Sequence, residues 1–320
     1  MTAVEQHPAA ARGAASLVAL HRRLHGVGPE AVTMRTWTPH SERKQRQRLF
    51  VESTVDGRAR FVAKIPLDPA DTMVDRECSI LSRLPAVVAA RPRPVHRLDR
   101  GFVMTFVPAR DFPDVMRDTP APGWPALLGD ALALAADLHR AGPPATGRTA
   151  ADVARTYLPD LDTLPPAALS GLEEAAIGPT HGDLGPWNLR VAADGRIGLI
   201  DWEDYQPVGL PALDVLNVVL TAALVAFPDY REQGFDRLYD RVFHERNPFR
   251  SAADLALRRY AGLTGTSVAA LVRLTPLFCR WMIRRIEQQG RPTAHLYYGP
   301  FAERFEAEAP TWDGDGHDGS

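Results

Sequence analysis

The sequence predicts an α+β fold in two lobes, in which a small antiparallel sheet with one key helix precedes a mainly helical region. Short apolar runs with strand character occupy residues 32–65, and Asp56-Gly57 marks a tight turn between two of them. Beyond residue 107, long segments carry leucine and alanine at helical spacing. We therefore assign 1–107 to an N-terminal lobe and 108–320 to a C-terminal lobe.

Length and composition indicate a globular chain without a general attraction for nucleic acid or membranes. The 320 residues are 45% hydrophobic and 24% charged, with a net charge of -2 and a pI near 6.6. No apolar run approaches the roughly 20 residues that span a bilayer. We expect a cytoplasmic protein, a monomer or homodimer, with no nucleic-acid or membrane partner. Cys78 and Cys279 lack the spacing of a metal or redox motif, which predicts buried free thiols.

The N-terminal lobe is predicted to begin with a helix over 10–24 and to continue as strands. The predicted strands cover 32–37, 48–55, 60–65, 95–98 and 102–107. Between the third and fourth strands, Asp71 is a candidate cap for a helix. That helix carries Met73, Glu77, Ile80 and Leu84 at helical spacing.

Two charged residues of this lobe lie on otherwise apolar faces. Lys64, one of only two lysines in the chain, sits inside the strand Phe61–Ile65, where a compact ammonium can pair with a diphosphate. Glu77 shares the apolar face of the predicted helix, and a carboxylate there is costly unless it is paired. We predict a Lys64–Glu77 ion pair. The alternatives are a lysine facing water from an edge strand and a glutamate at the margin of the apolar stripe.

The C-terminal lobe is predicted to be helical around one hairpin. Helices are expected over 124–141 and 150–160, and strands 188–191 and 196–200 flank a turn at Asp194-Gly195. From residue 212 onwards the chain has mostly helical character. This region includes the segments 213–227 and 268–289, and the tail 311–320 is predicted to be mobile.

The most informative segment is 181–188, which reads His-Gly-Asp-Leu-Gly-Pro-Trp-Asn. Asp183 and Asn188 keep the spacing of the kinase catalytic loop, and Asp201 follows one hairpin later, where a second metal-binding carboxylate is needed. Phosphoryl transfer uses a carboxylate to accept the acceptor's proton and oxygen ligands to hold Mg2+. With Lys64 and Glu77, these residues occur in the chain order of a protein-kinase-like fold, which the sequence therefore predicts.

This form of the motif, with Asp201-Trp202-Glu203 behind it, resembles the aminoglycoside phosphotransferase family of small-molecule kinases. That family also includes choline, homoserine and macrolide kinases. The resemblance spans roughly residues 30–225 and includes Leu138-His139 and the segment Pro211-Ala212-Leu213-Asp214. It implies transfer of a phosphate from ATP or GTP, with Mg2+, to a hydroxyl of an antibiotic or related polyhydroxylated metabolite.

The resemblance also implies roles for individual residues. Lys64, positioned by Glu77, would hold the α and β phosphates, while Asn188 and Asp201 would bind Mg2+. Asp183 would take the hydroxyl proton. The remaining implied residues fall in two groups, with His181 and Asp214 supporting the catalytic loop, and Met104, Thr105 and Val107 forming the hinge to the purine.

The chain departs from protein kinases in ways that argue against a protein substrate. Gly182, Gly185 and Trp202-Glu203 replace the arginine, lysine and Phe-Gly of protein kinases, and no long activation segment follows. The nucleotide loop 38–47 also lacks glycine, so its backbone cannot approach phosphate as closely as a Gly-rich loop does. We expect the side chains of Ser41 and Arg43 to contact the nucleotide instead.

The acceptor is less well defined by the sequence. Acidic and basic residues are nearly balanced after Asp204, which argues against a polycationic aminoglycoside and fits a sugar, a nucleoside or a glycan-biosynthesis intermediate. The sequence leaves open whether two sets of charged residues contact an acceptor or water, namely Arg280, Arg284 and Arg285, and Asp229, Asp236 and Asp240.

Two other classes of function compete with a kinase. A metallohydrolase could use His181 and Asp183 as metal ligands, but Lys64 and Glu77 would then have no role. A nucleotide-binding pseudokinase would keep the fold without transfer, although every group that transfer needs is present in the sequence.

Overall fold

The computed structural model describes residues 7–39, 47–84, 91–142, 147–310 and 312. The chain divides into two compact units. Unit 1 comprises Met1–Ala86, Ala90–Ala109 and Gly198–Asp204, and unit 2 comprises Val87–Ala89, Arg110–Ile197 and Tyr205–Ser320. The short segment Gly198–Asp204 thus groups with the N-terminal residues although it follows most of the predicted catalytic motif in the chain.

The described residues of unit 1 form an antiparallel sheet and two α-helices. The helices are α1 (Pro8–His25) and α2 (Met73–Arg83), and the strands are β1 (Val32–Trp37), β2 (Arg48–Val55), β3 (Arg58–Pro66), β4 (Pro94–Arg97) and β5 (Phe102–Thr105). The strand order is β1-β2-β3-β5-β4, and every neighbouring pair is antiparallel. The predicted sheet is confirmed. Because β3 is the central strand, Lys64 does not lie on an edge.

The turn between β2 and β3 is the predicted Asp-Gly hairpin. Asp56 and Gly57 have φ of 51° and 69°, and the register pairs Val55 with Arg58. The last strand is shorter than predicted, because β5 ends at Thr105 rather than at Val107.

Helix α1 packs on β2 and β3 and closes the core of this unit. Its buried face carries small and apolar side chains, whereas Arg12, Arg22 and Arg23 are exposed. The buried apolar cluster consists of Ala9, Ala10, Leu17, Leu20, Leu49, Val51, Phe61, Ala63, Ile65 and Val103.

The start of α2 differs from the prediction by one residue. The helix follows Thr72, whose side chain makes no capping hydrogen bond. Asp71 nevertheless satisfies the first turn, since its Oδ1 accepts a hydrogen bond from the Met73 amide at 2.9 Å.

Unit 2 is mainly helical. Its helices are α3 (Phe112–Asp118), α4 (Trp124–Arg140), α5 (Ala150–Tyr157), α6 (Pro166–Glu173), α7 (Pro211–Ala226), α8 (Tyr230–Gln233), α9 (Phe235–Phe243), α10 (Pro248–Thr264), α11 (Val268–Arg273), α12 (Thr275–Glu287) and α13 (Tyr298–Ala307). Its strands are β6 (Arg110–Asp111), β7 (Gly178–Thr180), β8 (Leu189–Val191), β9 (Ile197–Leu199, whose last two residues belong to unit 1) and β10 (Gln206–Gly209). Strand β6 pairs with β8, and β7 pairs with β10, both antiparallel.

Helix α7 is the centre of unit 2. Every residue from Pro211 to Ala223 is buried, and the helix packs against α3, α4 and α12. A helix that is apolar on all sides belongs inside a core, as the run 213–227 predicts.

The segment 268–289, which was predicted to have helical character, forms helices α11 and α12, and the single residue Leu274 separates them. Pro276 follows in the first turn of α12, where proline is tolerated. Within a continuous helix its ring would clash with the carbonyl of Val272, and its missing N–H would leave one hydrogen bond unmade.

Three further sequence expectations concern the thiols, the tail and membrane segments. Cys78 and Cys279 are buried and free, as predicted. Of the tail predicted to be mobile, 311 and 313–320 lie outside the described residues, while the Trp312 indole donates a hydrogen bond to Asp254 at 2.9 Å. Within the described part of the chain, no single helix is long and apolar enough to cross a membrane. The segments 248–264 and 268–287, which are bent relative to each other, have the length and apolar composition of a membrane span only when they are taken together.

Gly101 provides a test of the packing around Lys64. It has φ of 91°, and a Cβ atom there would lie 2.2 Å from the Lys64 carbonyl oxygen. We expect Gly101→Ala to lower the free energy of unfolding by more than about 2 kcal/mol, measured by urea denaturation, since left-handed backbone alone costs an L-residue roughly 1–2 kcal/mol. Gly57→Ala is the control, because Gly57 has φ of 69° and open space around it. Equal losses in both variants would show that the clash at Gly101 is absent.

Candidate functional site

In unit 1, the ammonium of Lys64 lies between two carboxylates. Lys64 Nζ is 2.5 Å from Glu77 Oε2 and 2.7 Å from Asp201 Oδ1. Strand β3 supplies the lysine, helix α2 the glutamate, and the segment Gly198–Asp204 the aspartate. The predicted Lys64–Glu77 ion pair is therefore present, and both residues are buried.

The charge of Lys64 depends on these partners. Burial alone disfavours the ammonium ion, but the carboxylates of Asp201 and Glu77 outweigh it and raise the pKa of Lys64 above its ordinary value. Lys64 is thus a permanent positive charge at neutral pH, as a phosphate-binding residue must be.

The backbone around Asp201 is held in an uncommon conformation. Asp201 has φ of 63°, a value that residues with a Cβ rarely adopt. Glu77 Oε1 accepts a hydrogen bond from the next amide, that of Trp202, at 3.2 Å, and the fully buried Trp202 indole donates to the Leu199 carbonyl at 3.2 Å. Glu77 therefore binds both Lys64 and the segment that carries Asp201, and it fixes one relative to the other.

A second buried cation, Arg48, joins the same cluster. Its guanidinium binds Asp71 Oδ2 at 3.1 Å and Glu203 Oε2 at 2.5 Å, and lies 3.9 Å from Asp201 Oδ1. Burial, followed by the charge of Asp201, raises the pKa of Glu203 to about 7. Arg48 is a site residue that was not predicted from the sequence. The available signal was an arginine at the start of an apolar strand, directly before Leu49.

The carboxylates of this cluster have the chemistry of a divalent cation site. Glu77, Asp201 and Glu203 each offer an oxygen, and these oxygens lie within 4.8 Å of one another. Hard cations such as Mg2+ prefer oxygen ligands. Asp201 is the most exposed of the three, at 34% of its side chain, while the other two are buried. The donor set therefore fits the metal that the sequence implies.

In unit 2, Asp183 and Asn188 lie side by side on the loop after β7. Asn188 Nδ2 donates to the Asp183 carbonyl at 2.8 Å and lies 3.4 Å from Asp183 Oδ2. The loop turns on two backbone hydrogen bonds, from Gly185 to Asp183 at 2.8 Å and from Asn188 to Gly185 at 2.9 Å. The spacing of the motif therefore brings the carboxylate and the carboxamide to the same place.

Asp214, on the first turn of α7, holds the start of this loop. Its carboxylate accepts hydrogen bonds from the amides of His181 at 2.6 Å and Gly182 at 3.0 Å. It also accepts from His139 Nε2 at 3.2 Å. Asp214 therefore binds the backbone at the start of the loop, while the supporting role of His181 stays a prediction.

His139 and Tyr260 extend the network into the core. His139 Nδ1 and the Tyr260 hydroxyl are 2.8 Å apart. Because a carboxylate only accepts hydrogen bonds, a neutral His139 carries its proton on Nε2 and accepts from Tyr260 through Nδ1. Burial, reinforced by the charge of Asp214, raises the pKa of Tyr260, so that its hydroxyl keeps its proton. Neither partner of His139 was predicted from the sequence.

The sequence left open whether Arg280, Arg284 and Arg285 contact an acceptor or water, and the structure gives Arg280 and Arg285 different partners. Arg285 Nη1 lies 3.0 Å from Asp183 Oδ1 and 3.1 Å from the Gly182 carbonyl, and only 14% of its side chain is exposed. Arg280 instead binds Glu306 at 2.5 Å and the Thr163 carbonyl at 2.7 Å. A solvated helix face is therefore the wrong description of Arg285.

The three aspartates considered as amine contacts are each paired with an arginine. Asp229 binds Arg241 at 2.7 Å, while Arg304 binds Asp240 at 2.9 Å and Asp236 at 3.4 Å. Their charges are thus largely compensated within the protein.

The predicted hinge residues lie at the end of β5, where Met104 and Thr105 are the last two residues of the strand and Val107 follows it. The Thr105 amide donates to the Arg93 carbonyl at 2.9 Å, and its hydroxyl accepts from the Arg93 amide at 2.9 Å. Met104 and Val107, on either side, are partly buried. Ser41 and Arg43 lie outside the described residues.

Comparison with solved structures shows the same fold in several kinases. A choline/ethanolamine kinase family protein from Mesorhizobium loti is 17% identical and has a TM-score of 0.52, covering 93% of each chain. Ethanolamine kinase from Plasmodium vivax is 12% identical with a TM-score of 0.54, covering 90% of this chain and 85% of that one. Macrolide 2'-phosphotransferase from Brachybacterium faecium is 17% identical with a TM-score of 0.50, covering 93% and 99%.

Sequence comparison gives the family. No curated protein sequence matches the chain. At the identities above, the structural similarities show the fold alone, and they confirm the predicted protein-kinase-like α+β fold. The model of the phosphotransferase enzyme family, APH, matches residues 48–250, which is more than half of the chain. The chain therefore belongs to the APH phosphotransferase enzyme family.

Proposed function

We propose that this protein is a Mg2+-dependent kinase that transfers the γ-phosphate of ATP or GTP to a hydroxyl of a small polyhydroxylated molecule. The proposal rests on one observation: the buried Lys64 contacts both Glu77, on helix α2, and Asp201, which follows the catalytic-loop motif in the chain. Lys64 Nζ lies within 2.7 Å of both Glu77 and Asp201. Kinases use such a lysine for the nucleotide phosphates and such an aspartate for the metal.

The residues of unit 1 would bind the phosphate donor. Lys64 would contact the α and β phosphates, and Glu77 keeps its ammonium in place. Met104, Thr105 and Val107 would contact the purine, with Ser41 and Arg43 near the phosphates. Asp201 and Asn188 are the proposed ligands of Mg2+, which neutralises charge on the phosphate oxygens when it is bound.

Asp183 would act as the base. Its carboxylate accepts the proton of the acceptor hydroxyl as the acceptor oxygen bonds to the terminal phosphorus, and the nucleoside diphosphate leaves with the electrons of the broken P–O bond. Asn188 would orient Asp183 by donating a hydrogen bond to the backbone carbonyl of Asp183. Asp214, which accepts a hydrogen bond from the His181 amide, would support the start of the loop together with His181.

The acceptor is proposed to be an antibiotic or a related polyhydroxylated metabolite without a dense positive charge. Asp229, Asp236 and Asp240 are occupied by arginines, which leaves them poorly suited to bind a polycation. Trp187 follows Asp183 closely in the chain and is 55% exposed, and an exposed indole suits an acceptor ring. This favours, as a second candidate, a kinase for a sugar, a nucleoside or a glycan-biosynthesis intermediate.

The biological role and state also remain part of the proposal. A protective role against an antibiotic and a biosynthetic role are both compatible with the site. The cytoplasmic location and the monomeric or homodimeric state stay as predictions from the sequence.

Removing the proposed base tests the reaction. In Asp183→Asn, we expect turnover to fall about 100-fold or more with little change in nucleotide affinity, since a positioned base contributes roughly that factor. Hydroxylated compounds, including sugars, nucleosides, macrolides and aminoglycosides, would be screened with ATP and GTP by phosphorylation assay. The control is Asp194→Asn, on the exposed turn after β8. Unchanged turnover would exclude Asp183 as the base, and nucleotide binding with Mg2+ but no transfer to any acceptor would favour a pseudokinase.

Removing the proposed metal ligand tests the cofactor. We expect Asp201→Ala to abolish the increase in nucleotide affinity that Mg2+ gives, measured calorimetrically with Mg2+ and with EDTA, because a carboxylate ligand is lost. Asp75→Ala, an exposed aspartate on α2, is the control. An undiminished Mg2+ effect in Asp201→Ala would remove Asp201 from the metal site.

Removing the charge of Asp214 tests the support of the catalytic loop. In Asp214→Asn one oxygen acceptor becomes an NH2 donor facing backbone amides, so we expect the free energy of unfolding to fall by about 1–3 kcal/mol. The amides of His181 and Gly182 should exchange hydrogen faster, as measured by mass spectrometry. Asp137→Asn, at an exposed ion pair on α4, should change neither quantity. Unaltered exchange at both amides in Asp214→Asn would contradict the supporting role.

A further inference from the structure

Arg285, on α12, places its guanidinium against the proposed base, Asp183. It lies two residues before the end of α12 and binds Asp183 Oδ1 at 3.0 Å and the Gly182 carbonyl at 3.1 Å. Trp281, one turn earlier, lies beneath it with its ring centre 5.6 Å from the guanidinium. A guanidinium that binds two oxygens and packs on a ring is held in one orientation.

These contacts leave the two oxygens of Asp183 in different situations. Oδ1 accepts from Arg285 at 3.0 Å, whereas Oδ2 is 3.4 Å from Asn188 Nδ2, longer than a well-formed hydrogen bond. The less engaged Oδ2 is therefore the atom suited to accept the acceptor proton. Because the Arg285 guanidinium binds Oδ1, it leaves Oδ2 as the oxygen available to the acceptor.

The contact also compensates the charge of the base. Where protein kinases carry a lysine two residues after the catalytic aspartate, this chain has Gly185. The positive charge next to Asp183 arrives instead from α12, and the Asp183–Arg285 pair is neutral as a whole. An acceptor that binds beside this pair meets no net negative charge from the base.

We propose that Arg285 orients Asp183 and compensates its charge, so that the site favours a neutral hydroxylated acceptor over one that carries an ammonium group beside the reactive hydroxyl. This inference rests on the proposed kinase function. In the reaction, the acceptor O–H bond breaks, its proton bonds to Asp183 Oδ2, and the acceptor oxygen forms the new P–O bond as the nucleoside diphosphate leaves. Arg285 neither gains nor loses a proton, so it is a positioning residue.

Three variants separate orientation from charge. Arg285→Gln removes both the charge and the paired contacts, whereas Arg285→Lys keeps the charge but replaces the planar fork with a single ammonium. Arg284→Gln makes the same change of net charge at the adjacent, partly buried position of the helix, and it is the matched control.

The measurement compares a neutral acceptor with its amino analogue, glucose with glucosamine and adenosine with 3'-amino-3'-deoxyadenosine, with hydrolysis by water as a reference. We expect kcat for the neutral acceptor to fall about tenfold or more in Arg285→Gln, with KM for the nucleotide changed less than about twofold. The ratio of kcat/KM for amine over neutral acceptor should rise about fivefold, the factor for one charge about 4 Å away in water. In Arg285→Lys, kcat should fall while the ratio stays at the wild-type value.

Each outcome decides the inference. Wild-type kcat and ratio in Arg285→Gln, or equal changes in Arg284→Gln, overturn it while leaving the kinase function intact. If the wild-type protein transfers phosphate neither to any acceptor nor to water, the proposed kinase function is wrong. The proposed role of Arg285 is then wrong as well. If Arg285→Gln does not fold by circular dichroism, Arg285→Lys decides, since a lowered kcat with an unchanged ratio supports the inference and wild-type kcat overturns it.

Discussion

The burial of a single ammonium group governs the arrangement of unit 1. An ion removed from water must be paired, and removing one partner of a buried pair typically costs about 3–5 kcal/mol. Lys64, 3% exposed on the central strand, is stable there because Glu77 and Asp201 lie within 2.7 Å of it. This requirement explains why Gly198–Asp204 groups with the N-terminal residues. Glu77 strengthens the arrangement by binding the Trp202 amide with its second oxygen.

The cluster around Lys64 and Arg48 contains more carboxylates than cations, and this excess of negative charge suits a divalent cation. Four carboxylates, those of Asp71, Glu77, Asp201 and Glu203, surround two cations, Lys64 and Arg48, which leaves two negative charges if all four are ionised. Burial, reinforced by the charge of Asp201, raises the pKa of Glu203 to about 7. A divalent cation would relieve the excess of negative charge, and would bind where the most exposed carboxylate, Asp201, is available. The same cluster can thus be stable without a metal and attract one.

The sequence predicted those parts of the fold and site that depend on local spacing. The Asp-Gly hairpin, the Lys64–Glu77 pair and the neighbouring Asp183 and Asn188 follow from turn chemistry, periodicity and a five-residue interval. The missed contacts join residues that are distant in the chain without any periodic relation, such as His139 with Tyr260, 121 residues apart, and Arg285 with Asp183, 102 apart. The break at Leu274 was missed because apolar residues continue through it, and because proline is acceptable in a first helical turn.

The location of Arg285 bears on how far family membership can specify a substrate. A base must sit on a loop of fixed spacing relative to the metal ligands, so its motif is visible in the sequence. The positively charged side chain that contacts the base needs only to be long enough to reach it, so any helix or strand near the loop can carry that side chain. Here it comes from α12, beyond residues 48–250, the part of the chain that matches the family model. The residues proposed for phosphoryl transfer therefore lie within the matched region, whereas Arg285, on which the proposed preference for a neutral acceptor rests, lies outside it.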